Sequence, residues 1–420
     1  MTERSDLDAL VYDWNRDGRA ARADYRAVEL DDETLRDGLQ GPSVRNPPLE
    51  VKLRLLHLMD ELGIDSADIG LPGASAQARE AVVALARETT KLRITPNVAV
   101  RTHRLDIEGA IRASVESGVA IETCAFIGSS PIRRVTEDWS LDMMLKNVEE
   151  SVTLAVKNGL PVMFVTEDTT RADPETLVAL YDAAIGCGAT RICVSDTVGH
   201  ATPEGVRNLL TFVRTDVIRG RAVKLDYHGH NDRGLGTINA LTATAIADRV
   251  HGTALGIGER VGNTSMDQLL INLRLWDLID RDLEPLAEYA ALVAEHCGAP
   301  IPANYPALGA DAFRTGTGVH AAAVVKALRK GDRALADRVY SGVPASLVGR
   351  GQRIEVGPMS GESNVIFWLE QRTIEPTRAR IDRIFAAAKA SDRLLTDAEL
   401  RALASDAADS PRSAPPATTP

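Results

Sequence analysis

Eight short β-rich runs alternate with eight longer amphipathic segments between about residue 28 and residue 280, and this alternation leaves the chain few folds to adopt. Apolar β-branched runs are typical of buried strands, whereas apolar residues three or four positions apart are typical of helices that cover a sheet. The predicted strands are 28–35, 66–71, 92–100, 120–127, 162–167, 191–196, 223–228 and 249–257. The predicted helices are 48–62, 76–88, 105–117, 141–158, 174–187, 203–214, 234–247 and 264–278.

Eight β-α units in about 250 residues predict an α/β fold of the (β/α)8 TIM-barrel type. An open, doubly wound sheet is the alternative. After about residue 280 the strand-helix rhythm changes, so we expect a smaller, mostly helical C-terminal subdomain. The predicted regions are an N-terminal arm (1–22), a catalytic barrel (23–282), the C-terminal subdomain (283–405) and a disordered, proline-rich tail (406–420).

The composition limits the partners of the protein. A hydrophobic content of 44% with 25% charged residues is typical of a soluble globular protein. The chain contains no apolar run of the roughly 18 residues that a membrane span needs, and its start does not resemble a secretory signal, so we expect a cytoplasmic protein without a membrane partner. A net charge of −11 argues against nucleic-acid binding. Four cysteines without a C-x-x-C pair predict reduced thiols.

Polar side chains gather where the predicted strands end. Since active sites of TIM barrels lie at the carboxyl ends of the strands, such clustering predicts a catalytic rim. Each group alone could also be a loop, cap or turn residue, but together they favour an active site. The side chains are Arg36 and Asp37 after the first strand, Asn97 in the third, Glu167 and Asp168 at the fifth, Asp196 and Thr197 at the sixth, His228 and His230 at the seventh, and Glu259, Arg260 and Asn263 after the eighth.

His228 and His230 predict a metal site. Residues two apart on a strand point to the same side, so both imidazoles are available to one cation, although two such histidines can also be ordinary core residues. Asp37 would lie nearby around a closed barrel mouth, and Asn263 can add an amide oxygen. This donor set leaves positions for a chelating substrate and suits Mn, Mg, Co or Zn. Arg36 could balance negative charge there, or form a surface salt bridge.

Three longer segments resemble the motifs of a known family. Segments 34–40, 228–232 and 256–263 read Thr-Leu-Arg-Asp-Gly-Leu-Gln, His-Gly-His-Asn-Asp and Gly-Ile-Gly-Glu-Arg-Val-Gly-Asn. They resemble the motifs of the 2-isopropylmalate synthase and homocitrate synthase family, the metal-dependent Claisen-condensing TIM barrels. The ends of the fourth, fifth and sixth predicted strands also look like that family, and the resemblance extends over roughly residues 28 to 370.

The resemblance implies an acyltransferase of amino-acid biosynthesis, with a divalent metal as cofactor and acetyl-CoA as co-substrate. Acetyl-CoA, a 2-oxo acid and water would give a 2-alkylmalate-type acid and CoA, as in 2-isopropylmalate, homocitrate or citramalate synthesis. The family's second subdomain reaches into the partner subunit, so a homodimer is expected. The implied catalytic residues are Arg36, Glu167, His320 and Tyr340, the implied substrate-binding residues are Arg36, Gln40, Arg133 and Thr197, and the metal ligands are Asp37, His228, His230 and Asn263.

Three positions depart from the family pattern. Leu39 stands where 2-isopropylmalate synthases typically have Glu, and the resulting Arg-Asp-Gly-Leu-Gln string also occurs in hydroxymethylglutaryl-CoA lyases. Cys124 and Arg133 stand where many of those synthases have histidines. Because these changes make the pocket less anionic, we hypothesise an oxo acid with an additional acidic group or an unusual side chain. The chain also ends before a large regulatory domain could follow, so inhibition by leucine at such a domain is not expected.

Two alternatives to a synthase remain open. A lyase of the hydroxymethylglutaryl-CoA type would run a retro-Claisen cleavage, but such lyases use a cysteine in the glycine-rich loop after the eighth strand, and segment 258–262 contains none. An inactive barrel that serves as a binding protein should have lost its metal ligands, and all four are present.

Overall fold

Eight parallel strands close into a barrel in the computed structural model, which describes residue 7, residues 10–13, residue 15 and residues 24–405. Each strand pairs with the next, and β8 pairs with β1 from Glu29↔Arg249 to Asp32↔Gly252. The predicted TIM barrel is therefore confirmed, and the open sheet is wrong. Strands β1 to β8 are Glu29–Asp32, Ser66–Asp68, Thr95–Arg101, Glu122–Gly128, Val162–Glu167, Arg191–Asp196, Lys224–Gly229 and Arg249–Gly252.

Helices surround the barrel, and several begin where a side chain caps the first turn. In four helices the capping side chain accepts a hydrogen bond from the backbone N–H three residues later, which has no acceptor within the helix; the capping residues are Ser75, Ser140, Asp173 and Thr202. Helices α1 to α10 are Leu49–Glu61, Ala76–Thr89, Arg104–Ser117, Pro131–Glu137, Leu141–Lys157, Pro174–Gly186, Pro203–Phe212, Gly236–Ala243, Met266–Leu275 and Leu286–His296. Among the described residues, no helix is both long enough and apolar enough to cross a bilayer.

Buried ion pairs occupy the amino end of the barrel interior, where TIM barrels normally hold branched aliphatic side chains. Asp226 accepts hydrogen bonds from Arg191 and Arg249, each over 2.6 Å. Arg249 also donates to Glu122 over 2.7 Å, and Arg191 to Glu29 over 2.7 Å. We call these five residues the floor network. Because four of them stand at the first position of their strands, the network closes the end of the barrel opposite the predicted rim.

The described chain divides into two compact units after Ile301. This division falls later than the predicted boundary at residue 282, because α10 belongs to the barrel unit. Tyr289 of α10 contacts Thr34 through the two hydroxyl oxygens over 3.1 Å, and it donates a hydrogen bond to Asp32. The described residues before Asp13 group with the second unit, whereas Asp13 and Asn15 group with the barrel unit. The predicted arm, 1–22, is thus divided between the two units, and its other residues lie outside the described chain.

The second unit is mostly helical, as predicted. Its apolar side chains form two buried clusters, one around Trp368 and Ile384 and another around Val324 and Phe367. The predicted disordered tail, 406–420, lies outside the described residues. The elements are the parallel strand pair β9 (Arg314–Thr315) and β10 (Arg353–Ile354), and helices α11 (Gly318–Arg329), α12 (Arg333–Arg338), α13 (Glu362–Glu370), α14 (Arg378–Ala390) and α15 (Asp397–Ala404).

Candidate functional site

A cavity of about 250 Å³ opens at the carboxyl end of the barrel strands. The sulfur-containing side chains of Cys124, Met163 and Cys193 pack together and line this cavity. Burial raises the pKa of both thiols well above the ordinary value, so they behave as apolar groups. Of the residues predicted for the site, those that line the cavity are Arg36, Asp37, Gln40, Glu167, Thr197, His228 and His230.

His228, His230 and Asp37 converge at one point of this cavity. The two imidazole rings lie with their centroids 4.9 Å apart at the end of β7. Their Nε2 atoms are 3.7 Å and 3.6 Å from the same oxygen, Oδ2 of Asp37. One ligand atom from each of the three side chains lies within 4.8 Å of the other two, a spacing that suits a shared metal ion.

Asn263 joins this group from the loop after β8. Its amide nitrogen Nδ2 donates to Asp37 Oδ2 over 2.6 Å, and its amide oxygen Oδ1 is buried without a partner among the described residues. A buried carbonyl oxygen without a donor is unfavourable unless a cation or water meets it. Two imidazoles, a carboxylate and this amide oxygen therefore fit a divalent cation.

The two histidines differ in their protonation. Burial and the positive charge of His228 lower the pKa of His230 to about 4, so His230 is a neutral imidazole with a free lone pair. Burial also lowers the pKa of His228, but the carboxylate of Glu33 outweighs it and raises that pKa above the ordinary value. Glu33 Oε2 lies 2.7 Å from Nδ1 of His228, so the Nε2 side of that ring is the one that faces Asp37.

Arg36 is fixed by three carboxylates. Its Nε donates to Asp68 over 2.6 Å, Nη1 to Asp37 over 2.9 Å and Nη2 to Glu33 over 3.3 Å. A guanidinium has five N–H donors, so one hydrogen on each Nη remains for another acceptor. Burial raises the pKa of Asp68 to about 7 despite the charge of Arg36. The guanidinium is thus held in one orientation with donors to spare.

Thr197 and Glu167 offer further polar contacts. The Thr197 hydroxyl accepts a hydrogen bond from the backbone N–H of Asp168 over 2.8 Å, which leaves the hydroxyl hydrogen free to donate. Burial raises the pKa of Glu167, and the charge of Arg133 offsets this rise only in part. Glu167 therefore holds a proton at higher pH than an exposed glutamate, as a group that exchanges protons with a substrate must.

Arg133 does not line the cavity. It lies on α4, pairs with Glu137 over 3.1 Å, and leaves 44% of its side chain exposed. Its Cγ occupies the space that a Cβ at Gly128 would need, so the glycine that ends β4 allows this side chain to fold back toward Glu167. The structure therefore does not bring Arg133 into the cavity, and its role in substrate binding stays a prediction.

His320 and Tyr340 lie together in the second unit. Their ring centroids are 4.1 Å apart with the planes inclined by 33°. Both residues are exposed, Tyr340 to 49%. The structure therefore brings these two predicted catalytic residues side by side on the surface of their own unit.

Two carboxylates and one imidazole of the cavity were not among the predicted site residues. Glu33, Asp68 and His251 line the cavity and are buried. Glu33 and His251 form a second group of potential metal ligands with His228. The signal in the sequence was an ionisable residue inside a strand or directly after it, where side chains can face the barrel interior.

A family model described as HMGL-like matches residues 27–293. A probable 2-isopropylmalate synthase of Methanopyrus kandleri is 34% identical over 366 residues, which are 86% of this chain and 69% of that protein. Homocitrate synthase AksA of the same organism is 32% identical, with 90% of this chain and 94% of that protein covered. (R)-citramalate synthase CimA of Methanocaldococcus jannaschii is 30% identical, with 90% and 74% covered.

The chain therefore belongs to the HMGL-like family. The resemblance to 2-isopropylmalate and homocitrate synthases is confirmed by these relatives, and the chain is an enzyme of the acyltransferase class that they represent. Among solved structures, the HMG-CoA lyase of Bacillus subtilis is similar with a TM-score of 0.55 and 21% identity, and covers 66% of this chain and 96% of its own. That likeness confirms the barrel fold.

Proposed function

We propose that the protein condenses acetyl-CoA with a 2-oxo acid, with water as the third reactant, to give a 2-alkylmalate-type acid and CoA. One observation carries the proposal. Asp37, His228 and His230 converge beside the buried, unpartnered oxygen of Asn263, and Arg36 lies next to them with two donors unused. The names of the relatives, which are 2-isopropylmalate, homocitrate and citramalate synthases, support the same chemistry.

Asp37, His228 and His230, with Asn263, would hold a divalent cation such as Mn, Mg, Zn or Co. Bound there, the cation supplies Lewis acidity toward the carboxylate and ketone oxygens of the oxo acid. The neutral state of His230 leaves its lone pair available without prior loss of a proton.

Arg36 would stabilise charge on the ketone oxygen. When the acetyl carbon adds to the ketone carbon, that oxygen becomes negative, and a donor already aimed at it lowers the barrier. The three carboxylates that bind Arg36 fix the direction of its two unused N–H groups before the substrate arrives. Loss of one such donor typically costs about 3 kcal/mol of transition-state stabilisation.

Thr197 would donate its hydroxyl hydrogen to the carboxylate of the oxo acid, and Gln40 lines the same cavity. Glu167 would exchange a proton with the reacting groups, since burial keeps its pKa raised. The reaction needs a base to take a proton from the acetyl methyl group, an acid to protonate the new alkoxide, and water to cleave the thioester.

His320 and Tyr340 would complete this proton transfer. Their adjacent, exposed rings form a pair that would enter a second active site. By the family resemblance, the second unit of one subunit would serve the barrel of its partner in a cytoplasmic homodimer.

A retro-Claisen lyase is the rival function, favoured by the Arg-Asp-Gly-Leu-Gln string at 36–40. Release of CoA from acetyl-CoA, followed with a thiol reagent, separates the two. Purified protein would be incubated with Mn, Mg, Zn or Co and one of pyruvate, 2-oxoisovalerate, 2-oxoglutarate or oxaloacetate. A synthase frees CoA only with its acceptor. No release with any acceptor, together with cleavage of hydroxymethylglutaryl-CoA, would overturn the proposal.

The acceptor is proposed to carry a second acidic group, which Arg133 would meet at the cavity entrance. Arg133→Gln should then lower kcat/KM about tenfold or more for dicarboxylic acceptors, since a hydrogen bond between charged groups contributes about 1.5–3 kcal/mol. Glu137→Gln is the matched control, because it frees Arg133 from its ion pair and leaves the guanidinium in place. An equal loss for pyruvate and 2-oxoglutarate would argue against this role.

A further inference from the structure

Glu33 is a buried carboxylate just beyond the end of β1, and the proposed reaction uses it only as one of the three carboxylates that fix Arg36. It contacts three donors at once. Oε2 lies 2.7 Å from Nδ1 of His228, and Oε1 lies 3.0 Å from Nδ1 of His251 and 3.3 Å from Nη2 of Arg36. One side chain therefore joins a candidate metal ligand to the guanidinium that faces the same cavity.

His251 contacts Glu33 from the side of the barrel's amino end and fixes its position. Its other ring nitrogen, Nε2, lies 3.0 Å from Asp226, so both nitrogens of a ring that is 1% exposed face carboxylates. Carboxylates only accept hydrogen bonds, so each nitrogen must carry a hydrogen. Asp226 is in turn bound by Arg191 and Arg249. The floor network thus extends through His251 to Glu33.

We propose that Glu33 is a positioning residue that sets the tautomer and ring orientation of His228. Because Glu33 can only accept at Nδ1, the hydrogen of a neutral His228 ring resides there, and the lone pair on Nε2 is directed toward Asp37. The same carboxylate fixes the distance between this imidazole and Arg36. The inference rests on the proposed function, since it concerns the metal site of that reaction.

Glu33→Gln tests the inference with little change of shape. An amide has one oxygen and one NH₂ group, so it cannot accept from all three donors and must turn a donor toward at least one of them. Loss of such an outer partner of a ligating histidine typically weakens metal binding about 10–100-fold. Glu29→Gln is the matched control. It makes the same substitution at the first residue of β1, at the opposite end of the barrel, where Glu29 pairs with Arg191 and Lys224.

Binding of Mn²⁺ would be measured by calorimetry without substrates, on folded protein verified by thermal melting. The expected result is about 10–100-fold weaker binding for Glu33→Gln and unchanged affinity for Glu29→Gln. Unchanged affinity in folded Glu33→Gln would overturn the inference while the proposed function stands. Absence of Mn²⁺, Mg²⁺, Zn²⁺ and Co²⁺ binding by the unaltered protein would overturn the metal site of the proposed function, and this inference with it.

A second measurement needs no stable variant. In the metal-free, unaltered protein, ¹⁵N NMR of the histidine rings reports which nitrogen carries hydrogen. His228 is expected to carry hydrogen on Nδ1. A neutral His228 ring with its hydrogen on Nε2 alone would overturn the inference, whatever the affinity for cations. A purely structural role for Glu33 would lower the melting temperature of Glu33→Gln without moving the cation affinity, and that result would overturn it too.

Discussion

Asn263 and Asp37 stand 226 positions apart in the chain, yet the amide nitrogen of Asn263 donates to Oδ2 of Asp37 over 2.6 Å. This hydrogen bond joins the loop after β8 to the segment that follows β1. The two residues can meet only when β8 pairs with β1, so the candidate metal site is assembled by closure of the barrel. Changes in the loop that carries Asn263 should therefore act on cation binding directly.

Gly258→Ala should abolish or greatly weaken cation binding. Gly258 has a φ of +155°, and a Cβ there would collide with Oδ1 of Asn263. Gly220→Ala is the control, since Gly220 has a φ of +76° but open space around it. Both substitutions strain the backbone by about 1–3 kcal/mol, but only the first displaces Asn263. Calorimetric Mn²⁺ titration with thermal melting checks this, and equal cation affinity in the two variants would contradict it.

Thr197→Val should raise KM for the oxo acid and lower stability. Valine has the shape of threonine but no hydroxyl, so the carboxylate of the substrate loses a donor and the Asp168 N–H loses its acceptor. An N–H left without a partner costs about 1–3 kcal/mol. Thr197→Ser keeps the hydroxyl and should change both quantities little. Steady-state kinetics at saturating acetyl-CoA would decide, and a Val variant with unaltered KM would exclude Thr197 from carboxylate recognition.

Asp32→Asn should flatten the pH dependence of stability. Burial raises the pKa of Asp32 to about 7 from an ordinary 3.8, and the hydrogen bonds from Thr34 and Tyr289 offset this only in part. The folded chain thus holds a proton that the unfolded chain releases, so stability falls as pH rises from about 4 to 7. An asparagine side chain at position 32 is uncharged at every pH, so it contributes no such dependence. Relative to the unaltered protein, the variant should gain roughly 3 kcal/mol between pH 4.5 and pH 8.

Urea unfolding at the two pH values measures this gain. Asp280→Asn serves as the control, because it makes the same substitution at a side chain that is 91% exposed. A parallel pH dependence in Asp32→Asn and the unaltered protein would show that Asp32 is ionised in the folded state well below neutral pH.

Two inactive variants should restore activity when mixed. If the second unit of one subunit serves the barrel of its partner, Asp37→Ala and His320→Ala subunits combined in one dimer give one complete site. Unfolding and refolding an equal mixture should then recover about a quarter of the activity of the unaltered enzyme, since half of the dimers are mixed and each has one active site. Each variant refolded alone is the control. Failure of the mixture to exceed the controls would place both residues in the same subunit's site, provided that dimers form.

The barrel was predictable because strands and helices follow different apolar periods. The predicted fifth and sixth strands, 162–167 and 191–196, match β5 and β6 at both ends. The eighth was predicted too long, since the chain leaves the strand after Gly252 and adopts positive φ at Leu255 and Gly256. Helix α4 was missed because none of its seven residues is buried, so its sequence shows no apolar period.

The rim residues were predictable, whereas their supports were not. Asp37, His228 and His230 lie at strand ends or shortly after them, and the TIM-barrel rule places such residues together. Glu33 and His251 could not be predicted in the same way. The Glu33 carboxylate contacts histidines on two different strands, and the sequence does not show which side chains meet in the folded barrel. The exposure of Arg133 likewise depends on how α4 turns after Gly128, and the sequence contains no period from which to derive it.

The floor network also determines how molecules reach the reaction centre. Arg191, Asp226 and Arg249 plug the amino end of the barrel, since each is buried and ion-paired. The barrel interior is closed at its amino end and open at its carboxyl end, so both reactants of the proposed condensation would enter from the same side. If the reactant that binds first lies beneath the second, initial-rate kinetics should show a compulsory order of addition.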